Sequence, residues 1–275
     1  MVTQKRQRQR DSRQARVAAM RARRRRAQRR RLAVAVATSA VLVVGVSAFV
    51  AGGSGGKKVE TTASTAARKV PVALTPVPPG ASISGDTPCP KADGSSARTT
   101  QFAKPPPMCI SPARAYAAEM KTTKGSFVIS LDAKSFPNTV NNFVVLSRYH
   151  FYDGIPFHRV VPGFVIQGGD PQASGLGGPG YKFNDELPKT SPAYKIGSVA
   201  MANSGPNTNG SQFFVITGDA GANLPAQYSL LGEVTEGMNV VRAIEAVGSP
   251  ETGTDPNGGK PTEEIKILSI AIRET

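Results

Sequence analysis

The stretch FHRVVPGFVIQGGD, residues 157–170, sets an arginine and a glutamine at fixed places in an otherwise apolar run. A packed core excludes both unless they are paired. Arg159 and Gln167 therefore either satisfy each other structurally or face a pocket. A guanidinium keeps its charge and carries several N–H donors in a rigid fork, so it suits hydrogen-bond donation rather than proton transfer. His158 stands beside it, but strand alternation sends that ring to the opposite face, where its role is structural. The one other histidine is His150. A zinc site would want more soft ligands than the sequence offers, so neither a metal nor another cofactor is expected. The glycine loop SGLGGPG, residues 174–180, lacks the Lys-Ser/Thr pair and following helix of a phosphate loop and reads as a surface loop.

Two further segments carry polar residues among apolar ones: MANSGPNTNGSQFFVITG from Met201 and LLGEVTEGMNVV from Leu230. Together with residues 157–170, in this order, they resemble the signature segments of cyclophilin-type peptidyl-prolyl isomerases. The resemblance covers about Tyr116 to Glu274 and leaves out everything before it. It implies a mainly β fold, an eight-stranded antiparallel barrel capped by two helices. Substrate proline would enter a shallow apolar pocket on the outside of that barrel. By the resemblance, Arg159 is the catalytic arginine, and Gln167 orients it and the substrate backbone. Phe164 lines the proline pocket, with Val165 as an apolar wall where methionine is usual. Met201, Ala202, Asn203 and Ser204 match the strand whose backbone binds extended peptide. Gln212 matches a second glutamine, Phe214 the pocket floor and Leu224 a further pocket residue. Asn223 stands where many eukaryotic members have tryptophan, and Tyr228 where histidine is common. The first departure implies weak binding of cyclosporin.

The chemistry suits these residue types. An X–Pro bond resists rotation by about 18–20 kcal/mol because the nitrogen shares its lone pair with the carbonyl. Twisting the bond returns that lone pair to the proline nitrogen. A guanidinium beside it can donate a hydrogen bond that strengthens only in the twisted state, which is differential transition-state binding. An apolar pocket holds the ring and excludes water, raising the worth of that bond. The reaction needs no nucleophile, metal or proton relay.

Elements able to position such a site can be read from periodicity. GSFVISL alternates Phe127, Ile129 and Leu131 as a half-buried strand. Pro137 and Asn138 mark a helix start, with Val140, Phe143, Val144 and Ser147 on one face. Residues 155–169 form one or two strands bent at Pro162-Gly163. Short strands flank the turn-rich GPNTNG, and YSLLGEV and EEIKILSIAI are further strands. A helix over EGMNVVRAIEAV places Met238, Val241, Ile244 and Val247 on one side.

The formal net charge of the 275 residues is +15. Residues 1–31 carry fourteen Lys or Arg against one acid, Asp11, which accounts for +13 of it. The basic signature therefore belongs to a tail and not to a folded surface; a tail that binds nucleic acid is the minor alternative, and no nucleic-acid partner is expected. Residues 32–51 follow without a charge or a proline, long enough at 1.5 Å per residue to cross a hydrocarbon core of roughly 30 Å. The arginines before this span predict a cytoplasmic N-terminus and an extracytoplasmic remainder, with residues 32–51 in lipid. Cleavage within VSAFVAGG as a signal peptide is an alternative. Residues 52–112, rich in Gly, Ser and Pro, read as a linker before a domain at 113–275. Cys89 and Cys109 are the two cysteines, and outside the cytoplasm a disulfide between them is expected. Its loop of about 20 residues would contribute around 3 kcal/mol on the chain-entropy view.

Two functions compete. One is a prolyl isomerase tethered to the outer face of the cytoplasmic membrane, acting on proline-containing segments of exported polypeptides. The other is a chaperone or scaffold of the same fold that holds such segments without catalysis. The complete set of Arg159, Phe164, Gln167 and Phe214 favours the enzyme.

Overall fold

The computed structural model describes residues 70–189, 192–251 and 258–274. The basic tail, the 32–51 span and the first part of the linker lie outside the described residues. Among those described, no helix is long and apolar enough to cross a membrane.

Among the described residues, ten strands and three helices follow in chain order: β1 (Ala81–Ile83), β2 (Thr99–Phe102), β3 (Tyr116–Thr122), β4 (Gly125–Leu131), α1 (Pro137–Arg148), β5 (Arg159–Val161), β6 (Val165–Gly168), β7 (Ser198–Met201), β8 (Phe213–Ile216), α2 (Asp219–Ala222), β9 (Leu230–Glu236), α3 (Met238–Glu245) and β10 (Ile267–Glu274). β1 and β2 pair in parallel. The other eight form one sheet in the order β10-β3-β4-β9-β7-β8-β6-β5, antiparallel at each join. The sheet curls until the chain ahead of β5 meets the head of β10. There Phe157 N–H donates to Ile265 O at 2.9 Å and Ile267 N–H to Ile155 O at 2.9 Å. Bringing the two edges together leaves little open strand edge.

Alternation builds the curl. β4 buries Phe127, Ile129 and Leu131, as its period predicts. β3, YAAEMKT, is poor in strand-forming residues and escapes a reading by propensity. It is a strand because its alternate residues Tyr116, Ala118 and Met120 are buried and it pairs on both sides. Inside the curl, Met120, Phe127, Phe143, Tyr152, Ile166, Val199, Phe213 and Leu231 share one core. Phe213 sits edge-on to Phe143 and to Tyr152, with ring centroids 5.7 Å apart in each pair.

Two of the helices cover this core. Proline opens α1, where a missing N–H costs nothing. No side chain of the preceding residue caps it; the Glu186 carboxylate does so from a distant loop. It accepts from the N–H groups of Asn138 at 3.1 Å and Thr139 at 2.7 Å, placing negative charge at the helix N-terminus. α3 turns Val241 and Ile244 inward, on the predicted face.

The expected linker does not extend to residue 112. Residues 70–112 lie against the sheet domain. Phe102 and Ile110 are buried in the core, and Phe102 packs edge-on to Tyr149 at 5.4 Å. Main-chain bonds tie the segment down, among them Val77 N–H to Pro171 O at 3.0 Å and Phe102 N–H to Pro179 O at 2.8 Å. Its apolar residues are scattered rather than periodic, so each docks singly and the composition mimics a free linker. Cys89 and Cys109 form the expected disulfide, with Cα atoms 5.4 Å apart. Asn141 of α1 receives the end of this arm: its Oδ1 accepts from Cys109 N–H at 2.7 Å and its Nδ2 donates to Pro107 O at 2.8 Å.

Candidate active site

Five strands bring one transverse row of residues to the outer face of the sheet. Arg159 of β5 lies opposite Gln167 of β6, and Gln167 opposite Phe214 of β8. Phe214 lies opposite Ala200 of β7, and Ala200 opposite Leu230 of β9. Residues directly opposite one another in a sheet share a face, and adjacent strands are about 4.8 Å apart. The row is polar at Arg159 and Gln167 and apolar from Phe214 onward. Around its apolar end Val165, Ala200, Phe214 and Ile216 pack together, with Phe164, Ala202, Leu224 and Tyr228 against them. This second cluster is separate from the interior core. The two meet back to back in β8, where Phe213 points in and Phe214 out.

The polar end is a chain of side-chain hydrogen bonds. Arg159 Nη1 donates to Gln167 Oε1 at 3.2 Å, and Gln167 Nε2 donates to Gln212 Oε1 at 3.0 Å. Gln212 Nε2 donates to Gly177 O at 2.9 Å. The guanidinium carbon lies 5.2 Å from the Phe164 ring centroid, within range of a cation–π contact. The other edge of the guanidinium, Nε and Nη2, meets the Glu251 carboxylate. Arg159 and Gln167 thus pair with each other, and they do so beside the outer apolar cluster.

The glycines of this region are there for space. Gly169 has φ of +86°, and a Cβ on it would stand 2.4 Å from Ser211 O, so no other residue lets β6 end against the chain leading to Gln212. Gly177 is wrapped onto Asp170; a Cβ there would stand 1.9 Å from Asp170 Oδ1. The buried Asp170 carboxylate gathers the N–H groups of Gln172 at 2.7 Å, Ser174 at 2.9 Å, Gly175 at 2.6 Å and Gly177 at 3.2 Å. Burial alone would raise its pKa, but these donors hold it below the ordinary carboxylate value. Asp170 thus shapes the loop that presents Gly177 O to Gln212. His158 is buried beneath the same loop, with Gly175 against its ring and no hydrogen-bond partner for either ring nitrogen among the described residues. Burial lowers its pKa, and Arg159 adds to that while Asp170 opposes it.

The structure places the remaining residues singled out from the sequence unevenly. Val165 is buried in the outer cluster, and Leu224 and Tyr228 form its far wall. The Tyr228 ring stands edge-on to Phe214 at 5.3 Å. The Met201 side chain does not face the pocket; it points into the interior core, so only its backbone lies along the site. Asn203 is turned by its side chain, which donates to Gln227 O at 2.9 Å. Ser204 faces the GPNT turn, its N–H on Thr208 Oγ1 at 2.9 Å. Asn223 is exposed at the end of α2. Three contributors escaped the sequence reading: Asp170, Glu251 and Tyr194. The Tyr194 hydroxyl donates to Tyr228 O at 2.7 Å and accepts from Tyr228 N–H at 2.9 Å, fixing the pocket wall. An aspartate followed by a Ser/Gly run was a legible turn signal for the first; the other two come from distant loops and leave no local trace.

Comparison with known proteins decides the family. Residues 117–272 match the family described as cyclophilin type peptidyl-prolyl cis-trans isomerase/CLD. This chain is a cyclophilin. The Mycobacterium tuberculosis (strain ATCC 25618 / H37Rv) peptidyl-prolyl cis-trans isomerase A is 41% identical to it over 177 residues, which cover 59% of this chain and 94% of that one. Peptidyl-prolyl cis-trans isomerase CYP18-2 of Arabidopsis thaliana is 41% identical over 156 residues, 56% of this chain and 91% of the relative. The crystal structure of a Cryptosporidium parvum cyclophilin type isomerase superposes with a TM-score of 0.52 at 32% identity, covering 58% of this chain and 99% of that one. The same protein has been solved in the presence of the dipeptide Ala-Pro. The packed arm at residues 70–112 lies ahead of the matched region. The cyclophilin is an isomerase of peptidyl-proline bonds. Beside the apolar cluster of Phe164, Val165 and Phe214 stands a guanidinium held by Gln167 on one edge and by Glu251 on the other.

Proposed function

We propose that this cyclophilin is a bacterial, membrane-tethered prolyl isomerase working on the outer side of the cytoplasmic membrane, on proline-containing segments of exported polypeptides. The observation that carries the reading is the order of the N-terminal sequence: fourteen Lys or Arg within residues 1–31, then the uncharged span 32–51. Such an order keeps the basic end in the cytoplasm and sends the remainder across. The Cys89–Cys109 disulfide supports the same compartment, because such bonds persist in oxidising surroundings. A relative solved with Ala-Pro supports proline-containing peptide as the substrate class. The reaction is useful there because uncatalysed X–Pro isomerisation takes tens to hundreds of seconds and can limit folding. It also needs no nucleotide.

The test is topology. In spheroplasts of bacteria expressing the full chain, added protease should digest the cyclophilin domain and leave the 1–31 tail protected. A domain that resists digestion until the membrane is lysed would contradict the proposed orientation.

A further inference from the structure

Arg159 is held on one edge by Gln167 and on the other by Glu251, a residue of the loop between α3 and β10. That loop is built onto the strand that carries Arg159. At its stem Thr262 N–H donates to Val247 O at 2.7 Å, and Ser249 Oγ donates to Lys260 O at 2.7 Å. Both arms of the stem then grip β5: Ser249 N–H donates to Val160 O at 3.2 Å, and Val160 N–H donates to Gly259 O at 2.7 Å. Gly248 permits this approach, since a Cβ on it would stand 2.6 Å from Val160 O. The stem therefore holds the backbone two residues before Glu251 against the strand that carries Arg159.

The contact is two-pronged. Glu251 Oε1 accepts from Arg159 Nε at 3.3 Å, and Oε2 accepts from Nη2. Bidentate pairing of this kind fixes a guanidinium plane as well as attracting it. The pair is partly open to water, with side-chain exposures of 30% for Arg159 and 45% for Glu251. Exposed pairs generally add little to stability; what the two-pronged geometry supplies is a fixed orientation of the guanidinium. A guanidinium has five N–H bonds. Glu251 takes one on Nε and one on Nη2, and Gln167 takes one on Nη1. One N–H on each Nη remains for a further acceptor.

We propose that Glu251 is a positioning residue for the isomerase reaction: it locks the Arg159 guanidinium so that the remaining N–H groups on its two Nη atoms are presented to the twisted X–Pro bond. The inference rests on the isomerase assignment of the site. An arginine free to rotate would have to be ordered in the transition state, and the loss would fall on turnover. Ground-state binding is carried mainly by the apolar floor and changes little.

The experiment compares the wild-type full chain with E251A and E251Q in two measurements. In a proline-peptide isomerisation assay, E251A is expected to lower kcat about tenfold with KM within about twofold of wild type. E251Q keeps an acceptor oxygen for one bond and is expected to recover part of the loss. Independently, the ¹⁵N–¹H signal of Arg159 Nε, assigned by its disappearance in R159K, should be shifted and slowed in exchange by the carboxylate, and should lose both properties in E251A. An Nε–H signal unchanged in E251A would overturn the pairing whatever the activities show. Activity in E251A that equals or exceeds wild type, or a loss confined to KM, would overturn the positioning role and point to a carboxylate that competes with substrate. Absence of isomerisation in the wild type would instead contradict the isomerase assignment, while the Nε–H comparison would still test the contact.

Discussion

Phe213 and Phe214 are neighbours in one strand, and both are almost wholly buried, at 0% and 4% exposure. Their burial is nearly equal, yet their surroundings differ. Phe213 packs in the closed interior against Phe143, Tyr152 and Phe157. Phe214 packs on the outer face with Val165, Ala200 and Ile216, and with Tyr228 edge-on. The first cluster is covered by helices, and the second borders Arg159, Gln167 and open solvent. Burial alone therefore does not separate core from site in this protein. What separates them is which face of the curled sheet a residue takes, and a one-residue shift in β8 would exchange the two.

Alanine substitution should break the pair apart. Phe213→Ala leaves a cavity that cannot fill, and should cost about 3–5 kcal/mol of stability. Phe214→Ala opens a surface pocket that water can enter. It should cost roughly 1–3 kcal/mol, while lowering kcat/KM at least about tenfold. Urea unfolding and a peptide isomerisation assay on the two variants check this. Equal stability losses, or an activity loss confined to the unfolding variant, would show that the two faces are not functionally distinct.

The packed arm sharpens the contrast from outside the family-matched region. Reducing the Cys89–Cys109 bond should lower stability by about 3 kcal/mol on the chain-entropy view and expose residues 89–109 to protease. Activity at moderate temperature should stay within about twofold of the oxidised protein, because Phe102 and its bonds to the 179–181 loop do not depend on the disulfide. A large activity loss before any loss of fold would mean that the arm supports the Gly177 end of the glutamine chain more directly.

The smallest expected effect concerns another adjacent pair, His158 and Arg159. His158 is buried, and burial lowers its pKa. The folded state thus binds its proton less readily than the unfolded chain does. Stability should be level above about pH 6.5, the ordinary histidine value, and decline as pH falls below it until the ring is protonated in both states. Asp170, with its lowered pKa, adds a further decline at more acidic pH, within and below the carboxylate range. Melting temperature against pH should show the upper of these slopes in the wild type and lose it in His158→Asn. A slope that survives the substitution would assign it to another group.

Much of this was legible from local pattern. Alternation placed β4, the Pro162-Gly163 pair placed the bend between β5 and β6, and helical spacing of apolar residues placed the two longer helices. The candidate site was legible only through resemblance, since no period distinguishes Phe214 from Phe213. β3 was hidden by weak strand formers and stands by its two pairings. The arm at residues 70–112 was read as linker because its anchoring is done by main-chain bonds and single apolar residues. Glu251 and Tyr194 were invisible for a related reason. Their partners, Arg159 and Tyr228, are 92 and 34 residues away in sequence, and such pairing is a property of the sheet rather than of any segment.

We propose that the outward row supplies the chemistry through Arg159. It is tested most directly by Arg159→Ala in the isomerisation assay, with folding followed by near-ultraviolet circular dichroism. The expected result is a native spectrum with kcat/KM lowered about 100-fold or more, equivalent to a loss of roughly 2.7 kcal/mol of transition-state stabilisation. A folded variant with wild-type activity would contradict the claim and leave the outer face as a binding surface for proline-containing segments.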